Sequence, residues 1–240
     1  MTMAFDKIML IFNSDTKPPM NIEQARFNMI EQQIRTWDVL DTEILDLLQV
    51  VRREAFVPEA CRSLAFVDTE IPLGGGENML PPKFEARILQ EAAPRKHETV
   101  LEIGAGSGYM AALLAHRALH VITVENNPEL KAMAERNLGG YGVDNVDVVA
   151  GNGAEGWEGS GQFAAPYDVI IISGSLPVLP DAFLRQLKVG GRLLCVIGER
   201  PVMQAQLITR TSDTGYNTRN LFETSITPLR QAMQLSHFTF

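Results

Sequence analysis

Between residues 94 and 200 the chain repeats one pattern, a short apolar run followed by a stretch with helical spacing. The runs are Thr99 to Ile103, His120 to Val124, Val146 to Ala150, Tyr167 to Ile172 and Leu193 to Ile197. The helical stretches are Tyr109 to Arg117, Pro128 to Leu138 and Pro180 to Leu187. Apolar runs without strict alternation are strands buried on both faces, so the order predicts a parallel sheet with helices on either side. Beyond Pro201, strands from Gln204 to Arg210 and from Leu221 to Ile226 flank a turn at Asp213-Thr-Gly215, the pattern of an antiparallel edge. The fold class read from this is α/β, a doubly wound Rossmann-like sheet that is mostly parallel, with an antiparallel C-terminal edge.

Ahead of the sheet the period is helical. Asn21 and Asp41 are placed to cap helices carrying Ile22, Ala25, Met29, Ile30 and Ile34, and then Ile44, Leu45, Leu47, Leu48 and Val51. Arg52 and Arg53 sit at the negative end of the second helix. From Phe56 to Pro82 turn formers dominate, and Gly74-Gly-Gly76 marks a loop that either crosses the surface or passes close to a ligand. A helix from Lys83 to Ala93 closes this region. Residues 1–19, one apolar stretch ending in Asn13-Ser-Asp-Thr-Lys-Pro-Pro19, are expected to be a disordered extension. Residues 20–240 are expected to form one domain, with a helical cap and loop over 20–93, a ligand-binding core over 94–200 and edge strands over 201–240.

Composition narrows the function classes. The chain has 240 residues, 21 Lys+Arg against 29 Asp+Glu and a net charge of -8, with no basic cluster. That balance argues against nucleic acid as the partner. No apolar run approaches the roughly 20 residues of a membrane helix. The two cysteines, Cys61 and Cys195, are far apart and form no metal or disulfide framework, so a reducing, cytoplasmic setting is expected. His116 and His120 fall on a helix and a strand, and no metal site is expected. Nothing in the sequence sets an oligomeric state.

The candidate chemistry lies at the strand ends. The first strand-to-helix turn reads Glu102-Ile-Gly-Ala-Gly-Ser-Gly108, where Gly104 and Gly106 let the backbone approach a ligand at a helix N-terminus. A dinucleotide fingerprint needs its third glycine at 107; Ser107 stands there, and the glycine is at 108. Glu102 would repel a pyrophosphate and attract a cationic group. Glu125 ends the next strand, 21 residues past Gly104, the placement of an acid that accepts both hydroxyls of a ribose. A ribose, a positive group and no pyrophosphate describe S-adenosylmethionine. The candidate cofactor-binding residues are therefore Glu102, Gly104, Ala105, Gly106, Ser107, Gly108, Glu125, Asn126, Asn152, Gly153 and Ser173.

With these residues in hand, the sequence resembles the protein-L-isoaspartate O-methyltransferases from about Met29 to Leu229. The match is carried by Met29-Ile-Glu-Gln-Gln-Ile-Arg35, Arg53-Glu-Ala-Phe-Val-Pro58, Ile71-Pro-Leu-Gly74, Val100-Leu-Glu-Ile-Gly-Ala-Gly-Ser-Gly-Tyr109, Leu187-Lys-Val-Gly-Gly-Arg192 and Thr227-Pro-Leu229. The resemblance implies a methyltransferase sheet with N-terminal helices, S-adenosylmethionine as cofactor, and transfer of methyl to the carboxylate of L-isoaspartyl residues in damaged proteins or peptides. It implies a substrate loop at Asn78, Met79 and Leu80, and a C-terminal segment closing over the cofactor.

Two positions depart from the family pattern. Leu80 stands where the family has a loop serine near the transferring methyl; leucine has no hydrogen-bonding group, and such a bond to a charged group is worth about 1.5–3 kcal/mol. Asn78 is a substitute donor for that contact. Asn152 stands where the family usually has an aspartate on the adenine amino group, which predicts cofactor binding weaker by about 1 kcal/mol; as an alternative, it only turns the chain between two glycines. Ser173 is either a cap or a contact in the same crevice. No catalytic residue is assigned, because an ionised carboxylate needs alignment more than a base. The alternatives raised by Leu80 are a methyltransferase with another acceptor and a cofactor-binding protein with weak or no catalysis.

Overall fold

A computed structural model of the chain describes residues 21–233. The expected extension over residues 1–19 lies outside the described residues. Helix α1 (Ile22–Met29) starts where Asn21 Oδ1 accepts the amide of Gln24 at 3.1 Å, and α2 (Thr42–Val50) where Asp41 accepts the amide of Glu43 at 2.9 Å. The single first helix expected to Ile34 is divided: after Met29 it widens to a π turn over Ile30–Ile34 and tightens to a 3-10 turn over Arg35–Trp37. Asp38, at φ 60°, ends it in the left-handed region.

The glycine-rich stretch is not an irregular loop. It is a hairpin of strands β1 (Ile71–Gly74) and β2 (Glu77–Met79), in which Ile71 faces Met79. The two residues between the strands, Gly75 and Gly76, have φ of 61° and 86°. A tight hairpin turn with both central residues left-handed matches the twist of its strands, and glycine adopts it without penalty. Four- and three-residue strands are too short to show a period of two, so the hairpin was hidden behind its glycines.

Helix α3 (Pro82–Ala92) follows, with Pro82 in its first turn. Then come β3 (Thr99–Ile103), α4 (Tyr109–Ala115), β4 (His120–Glu125), α5 (Pro128–Tyr141), β5 (Val146–Ala150), β6 (Tyr167–Leu176), α6 (Asp181–Arg185), β7 (Leu187–Glu199), β8 (Val202–Arg210) and β9 (Tyr216–Thr224). The large sheet has the order β5-β4-β3-β6-β7-β8-β9, parallel from β5 through β7 and antiparallel from β7 to β9. Strand β7 starts at Leu187, six residues before the apolar run at Leu193 that predicts it. The last strand begins at Tyr216 and ends at Thr224, earlier at both ends than its apolar residues suggested.

Side chains alternate across the central strands. Val100, Val169, Ile171, Leu194 and Val196 face the same core as α1, α2, α3 and α4, whereas Leu101, Ile103, Ile170, Ile172, Leu193 and Cys195 face a second core with Phe183 of α6. One face of the sheet and the N-terminal helices thus share continuous apolar packing, which fixes the hairpin and its neighbours against the strand ends. Asp168 ties strands together, accepting from the Thr99 amide at 2.9 Å and Lys188 Nζ at 2.8 Å. His120 belongs to β4, pairs with Asp147 at 3.0 Å and stacks on Phe163. Among the described residues no helix is long and apolar enough to cross a membrane.

Candidate active site

The strand order reverses between β3 and β6, and in such sheets the crevice beyond the carboxyl ends at that point binds ligands. A crevice lies there. Its floor is Gly104 and Gly106 after β3, Glu125 and Asn126 after β4, Gly151 to Ala154 after β5, and Ser173 and Gly174 in β6. Its roof is the hairpin, through Leu73, Glu77 and Asn78, and the segment Thr227 to Arg230.

Glu125 is 8% exposed, and both of its oxygens are set by backbone amides: Oε2 accepts from Gly106 and Oε1 from Asn127, each at 2.9 Å. An ionised carboxylate has about four lone-pair sites, so each oxygen retains one for a ligand hydroxyl. Gly104 and Gly106 have φ of 93° and 53°, a region that favours glycine. The glycine loop is therefore tied to Glu125 through the Gly106 amide.

Glu102 is fully buried. Its oxygens accept from Thr123 Oγ1 at 2.6 Å and Ser173 Oγ at 3.0 Å, and no ion pair to it is present among the described residues. Burial pushes its carboxyl up to about 8, the two hydroxyls oppose this, and the charges of Glu85 and Glu125 add to it. Near neutral pH this carboxyl holds its proton, and a cationic group entering the crevice would offset the burial cost and favour its ionised form. Glu102 lines a smaller chamber behind the glycine loop that shares Leu73, Asn78, Leu80, Gly104, Gly106 and Ser173 with the crevice.

The roof is tied down at two places. Asn78 Nδ2 donates to Thr227 Oγ1 at 3.0 Å and to Glu70 Oε2 at 3.1 Å. Arg230 donates to Glu77 and to the carbonyl of Gly75 at the hairpin tip. Leu229 packs over the glycine loop: a Cβ on Gly104 would lie 3.4 Å from its Cδ2, and one on Gly174 2.9 Å. Leu80 is buried, with its side chain in the main core.

Of the residues expected from sequence, Gly104, Gly106, Glu125, Asn126, Asn152, Gly153, Ser173, Asn78 and Leu80 come together around the crevice. Glu102, Ala105, Ser107 and Met79 line the chamber behind it. Gly108 lines neither; a Cβ there would lie 3.2 Å from Leu138 Cγ and 3.3 Å from the Ala134 backbone, so this glycine lets α4 pack against α5. Gly153 is required by its contact with β3, since a Cβ would meet Ile103 Cδ1 at 2.6 Å. Asn152 does turn the chain, its Oδ1 accepting the Ala154 amide at 3.0 Å, while also lining the crevice. The donors of Asn78 are both occupied, which removes it as a ready substitute for a loop hydroxyl. Sequence reasoning missed Glu70, Glu77, Leu73 and Arg230 as parts of the roof. The Thr227-Pro-Leu229 motif pointed to the strap, but nothing local marks an acid 157 residues away as its partner.

Comparison with known proteins places these features in context. The model of the family described as protein-L-isoaspartate(D-aspartate) O-methyltransferase matches residues 24–234. A protein-L-isoaspartate O-methyltransferase of Ignicoccus hospitalis is 35% identical over 211 residues, 87% of this chain and 98% of that protein. One of Marinobacter nauticus is 36% identical over 214 residues, 89% of this chain and 96% of its own. Among solved structures, a protein-L-isoaspartate O-methyltransferase superposes with a TM-score of 0.72 and 26% identity, covering 87% of this chain and 65% of its own. A Plasmodium falciparum protein solved in complex with S-adenosyl-L-homocysteine shares the fold, with a TM-score of 0.73 at 18% identity, covering 88% of this chain and 99% of its own.

Proposed function

The chain belongs to the protein-L-isoaspartate(D-aspartate) O-methyltransferase family, and from that premise we propose that it binds S-adenosylmethionine in the strand-end crevice and methylates L-isoaspartyl carboxylates in damaged proteins or peptides. The observation that carries the cofactor reading is Glu125, whose two oxygens are aimed by the amides of Gly106 and Asn127 beside two glycines, Gly104 and Gly106, held at positive φ. The donor set fits the cofactor. Glu125 accepts vicinal hydroxyls, the uncompensated Glu102 suits the cationic end, and Gly104 and Gly106 allow close approach under Leu229.

When bound, the cofactor supplies an electrophilic methyl on a sulfonium. This chain's residues supply confinement and alignment. An acceptor carboxylate is already ionised near neutral pH, so no side chain needs to remove a proton, and the rate depends on holding the nucleophile in line. Leu80 contributes shape and water exclusion at the acceptor loop rather than a hydrogen bond. Asn78, Thr227 and Glu70 hold the roof closed around the reacting atoms.

A second reading, methyl transfer to a less charged acceptor, is favoured by one observation: the amide donors of Asn78 are committed and Leu80 has none. The experiment that tests the first reading is incubation with labelled cofactor and an isoaspartyl peptide, scoring methyl esters by the methanol they release in mild base. Labelled methanol in proportion to peptide supports it. Cofactor binding without ester formation, unchanged in Leu80→Ser, turns the assignment toward the second.

A further inference from the structure

Beneath the acceptor loop sits a buried ion pair, Arg53 with Glu85, whose acid lines the chamber behind the glycine loop. Arg53 is 1% exposed and Glu85 is 3% exposed, and their side chains are paired. The guanidinium reaches three other parts of the protein. Its Nη2 donates to the carbonyl of Leu80 at 2.6 Å, its Nε donates to the carbonyl of Ala65 at 3.0 Å, and it lies 5.1 Å from the ring centroid of Tyr109. Tyr109 is the first residue of α4, directly after the glycine loop. Glu85 belongs to α3, which begins two residues after Leu80.

A pair buried this deeply adds little to stability, because desolvation of two ions offsets most of their attraction and an apolar pair of equal volume does as well. An apolar pair cannot hold a backbone carbonyl in place. A guanidinium can, since its planar fork directs several donors at once. Leu80 offers the acceptor no polar side chain; beside its core packing and the side-chain ties of Asn78, the loop is held at its backbone, where Arg53 grips the Leu80 carbonyl. We propose that Arg53, fixed by Glu85, is a positioning residue for methyl transfer: it holds the Leu80 carbonyl, and with it the acceptor loop, in register with the cofactor loop through Tyr109. This inference rests on the methyl-transfer reading above.

The test compares the wild type with Arg53→Met/Glu85→Met, which removes both charges at similar volume, and with Arg53→Lys, which keeps a charge for Glu85 but loses the fork. Three quantities are read: kcat and KM with an isoaspartyl peptide, the Kd of S-adenosylhomocysteine, and exchange of the amides of Asn78, Met79, Leu80 and Lys83. Both variants are expected to exchange those amides about tenfold faster and to lose about tenfold in kcat, with the Kd changed by less than about threefold. Arg53→Lys carries the comparison if the double variant does not fold. Wild-type exchange, or a wild-type kcat, in a variant that binds S-adenosylhomocysteine normally overturns the inference. A wild-type protein that does not methylate the peptide counts against the functional reading instead, and the exchange measurement then decides by itself whether Arg53 holds the loop.

Discussion

Replacing Glu125 by glutamine perturbs one atom and has a cost that can be worked from the structure. Each Glu125 oxygen accepts one backbone amide at 2.9 Å, from Gly106 and from Asn127. Glutamine keeps one acceptor and places an NH2 where the other stood, so one amide faces a donor. In the free protein this removes a hydrogen bond to a carboxylate and strands a part-buried N–H, a loss of about 1.5–3 kcal/mol in stability. In the complex a second bond of the same kind is lost, from one ribose hydroxyl, and only this part appears in affinity. That predicts a Kd for S-adenosylhomocysteine raised about 10- to 100-fold. Calorimetric titration of both proteins measures it, and thermal unfolding of the free proteins separates the stability part. A Kd within about threefold of wild type, with the expected loss of stability, would refute the assignment of Glu125 to the ribose.

Three further outcomes follow from the same geometry. Gly108→Ala places a side chain in the left-handed region at φ 84° and against Leu138 and Ala134, so it should destabilise by about 2–4 kcal/mol in urea unfolding without a specific loss of cofactor affinity. Glu102 keeps its proton up to about pH 8 when folded against an ordinary value of 4.5, so stability falls as pH rises between those values, and Glu102→Gln should be more stable than wild type near pH 9 but not near pH 4, by a few kcal/mol in unfolding measurements. Leu80→Ser truncates a buried core side chain and should destabilise by about 2–5 kcal/mol in urea unfolding, with kcat on an isoaspartyl peptide falling as water enters; a rise in kcat would show that a loop hydroxyl outweighs the lost packing.

The parallel core was legible because β3, β4 and β6 carry nearly unbroken apolar runs, the pattern of strands covered on both faces, and β3, β4 and β5 stop at a glycine or an acid. Glu102, Gly104, Gly106 and Glu125 were readable for the same reason: their spacing is fixed by a strand, a turn and a helix in sequence. What could not be read depends on distant pairing. The Ile71–Met79 hairpin is too short to show alternation, and its three glycines read equally as a loop. Gly108 belongs to the motif, but its role is to pack α4 on α5, which needs the position of Ala134. Arg53 sits in a family motif at a helix end, where a charge-dipole reading suffices; its grip on Leu80 appears only when the N-terminal helices pack on the sheet. Glu70 and Arg230 carry no local signal, since each acts on a segment more than a hundred residues away.

The central claim is that this crevice transfers methyl to an isoaspartyl carboxylate. Its most direct test is a pair of peptides identical except that one contains L-isoaspartate and the other L-aspartate at a single position, each incubated with labelled S-adenosylmethionine. The account predicts base-labile label on the isoaspartyl peptide that saturates with concentration, and none above background on its twin. Equal labelling of both peptides, or of neither while S-adenosylhomocysteine binds, would contradict it.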